Sequence, residues 1–273
     1  MGMYLEEYLD DCLAHGRNCF SREQARKALS IAPRNFAAAA TRLIKKGRLA
    51  NPRHGFFLVL RPEDKIGGGP DPVRWIDPLM RYQKLAYRIS LLRAAAFHGS
   101  SHQAAMVFQV VAPKQLRNFE LGRHRLQFIY QTPETFSNIN RPPYLDQIKS
   151  DEGFATVAGA EVTLLDCARY FHKAGGVSGV AQIAKDIGGK AKADKLEKIA
   201  EHYENSAVRR LGFLLERAGH SRQARALEPA IKKAKTFVAL NPAAQLRIAS
   251  LENGNVRESR WKLIINEPVE IDS

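Results

Sequence analysis

Cysteine is scarce in this sequence. Three residues, Cys12, Cys19 and Cys167, cannot all pair, and their spacing fits no zinc module. Buried, reduced thiols in a reducing compartment are the expectation. Long apolar runs are also missing: no stretch of about eighteen uncharged apolar residues occurs, so the sequence predicts no membrane-spanning helix. Met1 to Asp11 holds four acids and no base, the reverse of a secretory leader. These absences predict a cytoplasmic protein. There is no internal repeat and no low-complexity tract.

Signatures of catalysis are equally thin. Gly188-Gly189-Lys190 resembles the end of a phosphate-binding loop, but Ala191 stands where a Ser or Thr is needed and Ala184 where the first Gly should be. Gly175 to Gly179 reads as a loop between helices. His98 and His102 are four apart, yet Gly99 and two serines between them weaken a helix, and no third ligand is evident. Glu161 and Asp166 fall on one predicted helix but, five apart, do not stack. No nucleophile-elbow motif is present. The sequence therefore predicts no metal and no cofactor.

What is abundant is positive charge. The 273 residues carry a net charge of +14, which favours a polyanionic partner. Its distribution is more telling than its size. Eleven bases lie between His15 and Pro62 against a single acid, Glu23. Each Lys or Arg set on a phosphate releases counterions, so such a stretch suits double-stranded DNA.

The same stretch has a readable order of elements. Leu5, Tyr8, Leu9, Cys12 and Leu13 recur at helical spacing and His15-Gly16 closes the helix. Ser21 with Gln24 forms a capping box for a second helix, striped by Ala25, Ala28 and Leu29. Pro33 suits the first position of a third helix running to about Lys46. Phe36, Ala40, Leu43 and Ile44 make its apolar face; Arg34, Ala38, Thr41, Arg42 and Lys45 make the opposite one. Strands at 48–51 and 56–60 flank a turn at Pro52-Arg53-His54-Gly55. Helix, helix, turn, helix, hairpin is the order of a winged helix-turn-helix. Arg34 in the first turn of the third helix, with Asn35 beside it, Ala38 and Thr41 allowing close approach, is placed to read bases. Arg42 and Lys45 are placed for phosphates, and Arg22 is a further candidate DNA contact. Arg53 and His54 mark the hairpin tip, where a wing touches backbone or minor groove.

Three glycines and two prolines within 63–74 predict a linker. The expected organisation is a DNA-binding domain at 1–62, that linker, and a larger mixed α/β domain at 75–273, an α+β chain as a whole. Strands are predicted at 104–111, 126–130, 153–157 and 261–265, and helices at 161–173, 177–187, 192–204 and 206–218. In the larger part Arg209, Arg210, Arg217, Arg222 and Arg225 cluster on or after one helix, with Lys232, Lys233 and Lys235 following. They form a candidate second anion-binding surface.

The sequence resembles the AbiEi-type antitoxin and transcriptional regulators. The resemblance rests on Ala39-Ala40-Thr41-Arg42-Leu43-Ile44-Lys45-Lys46-Gly47-Arg48-Leu49 with Arg53-His54-Gly55-Phe56-Phe57 in the first part. In the second it rests on Ala94 to Ser100, Ala160 to Asp166, Val208 to Glu216 and Arg260-Trp261-Lys262-Leu263. It implies a repressor that binds repeats in its own promoter. It also implies an antitoxin, not an enzyme, that counteracts a nucleotidyltransferase-like toxin without needing direct contact. Two alternatives stay open: a DNA-targeted enzyme with a nuclease-like or nucleotidyltransferase-like second domain, and a protein-binding adaptor.

Overall fold

The computed structural model of the chain describes residues 4–100, 107–244 and 256–271. The fold is α+β, as expected. It divides into two compact units: Met1–Arg88, Met106–Thr132 and Gln147–Thr156 form unit 1; Ile89–Ala105, Pro133–Asp146 and Val157–Ser273 form unit 2. Among the described residues no helix is long and apolar enough to cross a membrane.

Unit 1 opens with α1 (Leu5–Ala14), which buries Leu5, Tyr8, Leu9 and Cys12. A short strand β1 (Cys19–Ser21) follows, an element too brief for side-chain alternation to announce. Ser21 ends it and caps α2 (Arg22–Leu29): its Oγ accepts from Gln24 N at 3.1 Å, and Gln24 Oε1 accepts from Ser21 N at 2.6 Å. The third helix α3 (Pro33–Lys45) starts at its proline and is followed by Gly47 at φ 65°. Phe36, Ala40 and Leu43 are buried, but Ile44 is 41% exposed. At 100° per residue Ile44 lies roughly 80° round the helix from Phe36, which puts it on the rim of the apolar stripe.

The hairpin pairs β2 (Leu49–Arg53) with β3 (Phe56–Val59). Its turn is tighter than the expected four residues: β2 runs on to Arg53 through a bulge, leaving His54 and Gly55, the latter at φ 77°, to reverse the chain. The central strand is β3, with β1 and β2 antiparallel on its two sides. Phe57 lies between the rings of Phe20 (5.6 Å, stacked) and Phe36 (5.4 Å, edge-on). Burying each such side chain contributes about 1.5–3 kcal/mol, so this trio ties the hairpin, β1 and α3 into one core.

Residues 63–74, read above as a linker, lie inside unit 1. They form α4 (Asp64–Gly67) and a 3-10 turn at Pro72–Arg74 that leads into α5 (Ile76–Tyr82). Trp75 is fully buried and its indole N–H donates to Pro70 O at 3.1 Å. Gly68 and Gly122 meet backbone to backbone, leaving no room for a Cβ on either. These glycines serve close packing, which composition cannot tell from a flexible joint. Beyond β4 (Arg88–Ile89), of which Arg88 falls in unit 1, the unit takes in β5 (Val107–Ala112), β6 (Phe119–Leu121) and β7 (His124–Tyr130), together with residues 147–156. Residues of β5 and β7 pair in parallel from Val107↔Arg125 to Ala112↔Tyr130, and β6 runs antiparallel to β7.

In unit 2, α6 (Leu91–Phe97) and α7 (Pro133–Ile139) precede the neighbouring strands β8 (Leu145–Ser150) and β9 (Gly153–Ala158), whose 147–156 portion belongs to unit 1. The unit is built round α8 (Ala160–Arg169), buried from Ala160 to Ala168 and packed by α6, α9 (Gly176–Ile187), α10 (Ala193–Ala200) and α11 (Asn205–Arg217). A helix enclosed on all sides must satisfy its polar groups internally. Gly176 to Gly179, expected as loop, instead forms the first turn of α9, with Gly175 at φ 82° as its cap. Two short helices, α12 (Ser221–Ala226) and α13 (Pro229–Lys232), lead to a three-stranded sheet. Its order is β10 (Val238–Ala239), β12 (Leu263–Ile265), β11 (Val256–Glu258).

Candidate nucleic-acid interface

The exposed side of α3 carries Arg34, Asn35, Ala38, Thr41, Arg42 and Lys45, all six open to solvent. Periodicity sets this: Phe36, Ala40 and Leu43 take the core face, so the residues between them turn outward. Thr41 Oγ1 donates to Ala37 O at 2.9 Å, which fixes its rotamer and commits its only proton to the helix. Arg34, Arg42 and Lys45 pair with no acid among the described residues.

Three other bases of the segment find acids on α1. Arg17 pairs with Asp11 at 3.3 Å, Lys46 with Glu6 at 3.3 Å and Arg48 with Asp10 at 2.7 Å. Arg61 reaches Asp151 at 3.5 Å. Arg22 heads α2, half-buried, with its backbone N–H donating to Gly55 O at 2.8 Å. Arg26 and Lys27 in the last turn of α2, which no sequence motif marks as contacts, stand in the turn before α3 and are likewise unpaired among the described residues. Their signal was present in the base count but not in any motif.

The hairpin tip departs from expectation. Arg53 does not extend beyond it. Its guanidinium donates to Arg117 O and lies over the rings of Phe119 and Phe128, at 4.5 and 5.5 Å from their centroids. Desolvation, and secondarily the charge of Arg117, pulls its pKa below the ordinary arginine value. The cation is turned into unit 1 because two aromatic faces offer it more than bulk water does. His54 is exposed, while its carbonyl accepts from Tyr82 Oη at 3.1 Å.

The second arginine cluster is split. Arg209 is buried, and its Nη1 donates to the carbonyls of Thr236 and Lys262, both at 3.0 Å. Arg210 Nε donates to Ala239 O at 3.1 Å. Burial lowers the pKa of both. They hold the segment carrying β10 and β12 against α11, so the expected anion surface does not include them. Arg217, Arg222 and Arg225 are exposed, as are Lys232, Lys233 and Lys235.

The carboxylates weighed for catalysis are apart in their chemistry. Asp166 accepts from Ser90 Oγ at 2.6 Å and Tyr203 Oη at 2.8 Å. Glu161 accepts from the backbone N–H of Lys192 at 2.7 Å. Each serves the interior of unit 2, and they share no partner in these bonds. His98 Nε2 lies 2.7 Å from Ala158 O, and His102 falls outside the described residues. No group of three or more His, Cys, Asp or Glu among the described residues could hold a metal ion. Lys190 of the Gly188-Gly189-Lys190 turn donates its ammonium to His98 O.

Comparison with known proteins places part of the chain. Residues 88–217 match the family described as AbiEi antitoxin C-terminal domain. None of the curated proteins matches the chain. Among solved structures, the RV2827C protein from Mycobacterium tuberculosis aligns over 95% of this chain and 90% of its own, with a TM-score of 0.64 at 15% identity. That likeness is one of fold.

Proposed function

We propose, from the match of residues 88–217 to the AbiEi antitoxin C-terminal domain family, that the chain is the antitoxin of a toxin–antitoxin operon and the DNA-binding repressor of that operon. In this reading residues 1–62 act as a winged helix-turn-helix: α3 enters the major groove, α2 crosses the backbone and the β2–β3 hairpin is the wing. The domain following residue 75 carries the antitoxin function. It counteracts a toxin that, from the family resemblance, is nucleotidyltransferase-like and need not be touched directly. The reading places the protein in the cytoplasm with its DNA and assigns it no cofactor and no catalytic step.

The observation that carries DNA binding is the exposed face of α3, where Arg34, Arg42 and Lys45 meet solvent with no carboxylate partner among the described residues. Arg34 and Asn35 have the donor geometry for guanine and adenine edges, and Arg42, Lys45, Arg22, Arg26 and Lys27 suit phosphates. Arg53 contributes to the wing by holding its tip in place, and His54 is the exposed side chain there. Arg217, Arg222 and Arg225 form a reduced second anion surface on unit 2.

The test is a mobility shift of the full chain on its own promoter and on an unrelated duplex, over a salt series. Promoter-selective binding should weaken steeply with salt, and Arg34→Ala should cost about 1–3 kcal/mol of discrimination. Equal, weak binding to both duplexes, unaltered by Arg34→Ala, would return the chain to the adaptor or enzyme readings.

A further inference from the structure

The bases of the first sixty residues are not one continuous patch, and the line dividing them is drawn by α1. The α1 carboxylates Glu6, Asp10 and Asp11 stand 3.3, 2.7 and 3.3 Å from Lys46, Arg48 and Arg17. With Glu7, α1 sets four acids against those three bases, so this side is neutral to slightly negative. On α2 and α3 the balance is reversed. Arg22, Arg26, Lys27, Arg34, Arg42 and Lys45 face only Glu23, a net +5. Lys45 and Lys46 are adjacent in sequence, yet only the second has a carboxylate at its ammonium. The positive surface therefore stops at the C-terminal end of α3, within one residue.

Resting on the DNA-binding reading above, we propose that Glu6 and Asp10 set the affinity and salt dependence of binding: an electrostatic fence that keeps Lys46 and Arg48 from the phosphate backbone. The four side chains are partly exposed, and exposed ion pairs of this kind contribute little to folding. Their effect on binding is larger, because a phosphate approaching Lys46 or Arg48 must displace a carboxylate or sit beside it, and gains no net counterion release. Phosphate contacts carry no sequence information. Each one withheld lowers affinity for every duplex by the same factor, so the base contacts made by the first turns of α3 supply a larger share of the total binding energy while their discrimination stays the same. The fence also sets where the phosphate contacts of α3 end, since Arg42 and Lys45 in its last turn carry no carboxylate partner among the described residues and Lys46 just beyond it does.

The experiment measures binding of the full chain to a promoter duplex and to an unrelated duplex of equal length by fluorescence anisotropy over a salt series. It compares wild type, the double variant Glu6→Gln/Asp10→Asn and the single variant Glu7→Gln. Glu7 accepts from Tyr4 N at 2.9 Å and forms no ion pair with a base among the described residues. Far-ultraviolet circular dichroism and a melting curve establish that each variant is folded. In the double variant, two released bases should steepen the slope of log K against log salt by about 1.8 on both duplexes. Affinity for the two duplexes should rise by the same factor, so the promoter-to-unrelated ratio stays at the wild-type value, and Glu7→Gln should leave the slope at the wild-type value. An unchanged slope in the double variant overturns the fence. So does an equal gain in Glu7→Gln, which would mean that only total charge counts. Failure of the wild type to bind either duplex overturns the DNA-binding reading itself, and with it the fence.

Discussion

Arg34 and Arg209 were read from the sequence as members of two anion-binding clusters, and the structure treats them oppositely. Arg34 stands in solvent on α3; Arg209 is 3% exposed and spends its Nη1 on backbone carbonyls. A helix of 3.6 residues per turn puts a charged residue inside whenever it falls on the apolar stripe, and sequence cannot say in advance whether carbonyls wait there to receive it. Arg209→Met keeps the bulk and removes the donors. It should lower unfolding stability by about 1–3 kcal/mol, because the Thr236 and Lys262 carbonyls lose their partner, while promoter affinity stays at the wild-type value. Urea unfolding and anisotropy check the two halves; retained stability with lost DNA binding would restore Arg209 to the anion surface. The thiols make a second case. Burial, first among the causes, pushes Cys19 and Cys167 above the ordinary thiol range, and Glu152 adds to the effect at Cys19. Since the thiolate is the reactive form, Ellman's reagent at pH 8 should find no rapidly reacting thiol in the native chain and all three after denaturation. A fast native equivalent would mean that one cysteine is neither buried nor suppressed.

Elements whose start and stop are set by local chemistry were legible from the sequence. The Ser21–Gln24 box, Pro33 at the head of α3 and Gly16 after α1 act within one turn of their own position, and the observed bounds follow them. Elements set by partners were not. β1 is three residues long and exists because β3 offers Phe56, Phe57 and Leu58 to pair with. Gly176 and Gly179 became helix because α9 buries Val177, Val180 and Ala181 beside them. Gly212 on α11 shows how such long-range demands can be tested. The indole of Trp261, fully buried, occupies the space a Cβ would need, and its Nε1 donates to Glu216 Oε2 at 2.8 Å on the same helix. In an isolated helix Gly→Ala gains about 1 kcal/mol. Here overpacking should outweigh that gain, and Gly212→Ala should destabilise the chain by about 1–3 kcal/mol. A rise in melting temperature would show that Trp261 can move aside.

The whole molecule is divided differently from its sequence. Composition placed a joint at 63–74, because glycine and proline clusters there look like those of a flexible linker. The fold uses the same residues to bring backbone against backbone, at Gly68 and Gly122, and to bury Trp75. Unit 1 is consequently discontinuous, taking in 106–132 and 147–156 as well as the N-terminal segment. Asn18 shows what this means for the proposed DNA-binding part. It is 1% exposed, its Nδ2 donates to Asp151 at 2.8 Å and its N–H to Glu152 at 3.2 Å. Asp151 in turn receives Arg74 at 2.8 Å. Arg53 likewise closes on Phe119 and Phe128. A chain cut after residue 62 would keep the Phe20–Phe36–Phe57 core. It would leave Asn18 without its carboxylates, Arg53 without its aromatic faces and Phe56 without the Tyr82 ring that packs on it at 5.6 Å. Domains of about 60 residues are marginal even when complete, so losses of this size decide the outcome. The 1–62 fragment should melt broadly and bind promoter DNA more weakly than the full chain, with hydrogen exchange fastest at β1 and the β2–β3 turn. A sharp, cooperative transition and full affinity in that fragment would mean that the contacts from 75 to 152 only decorate a domain already complete without them.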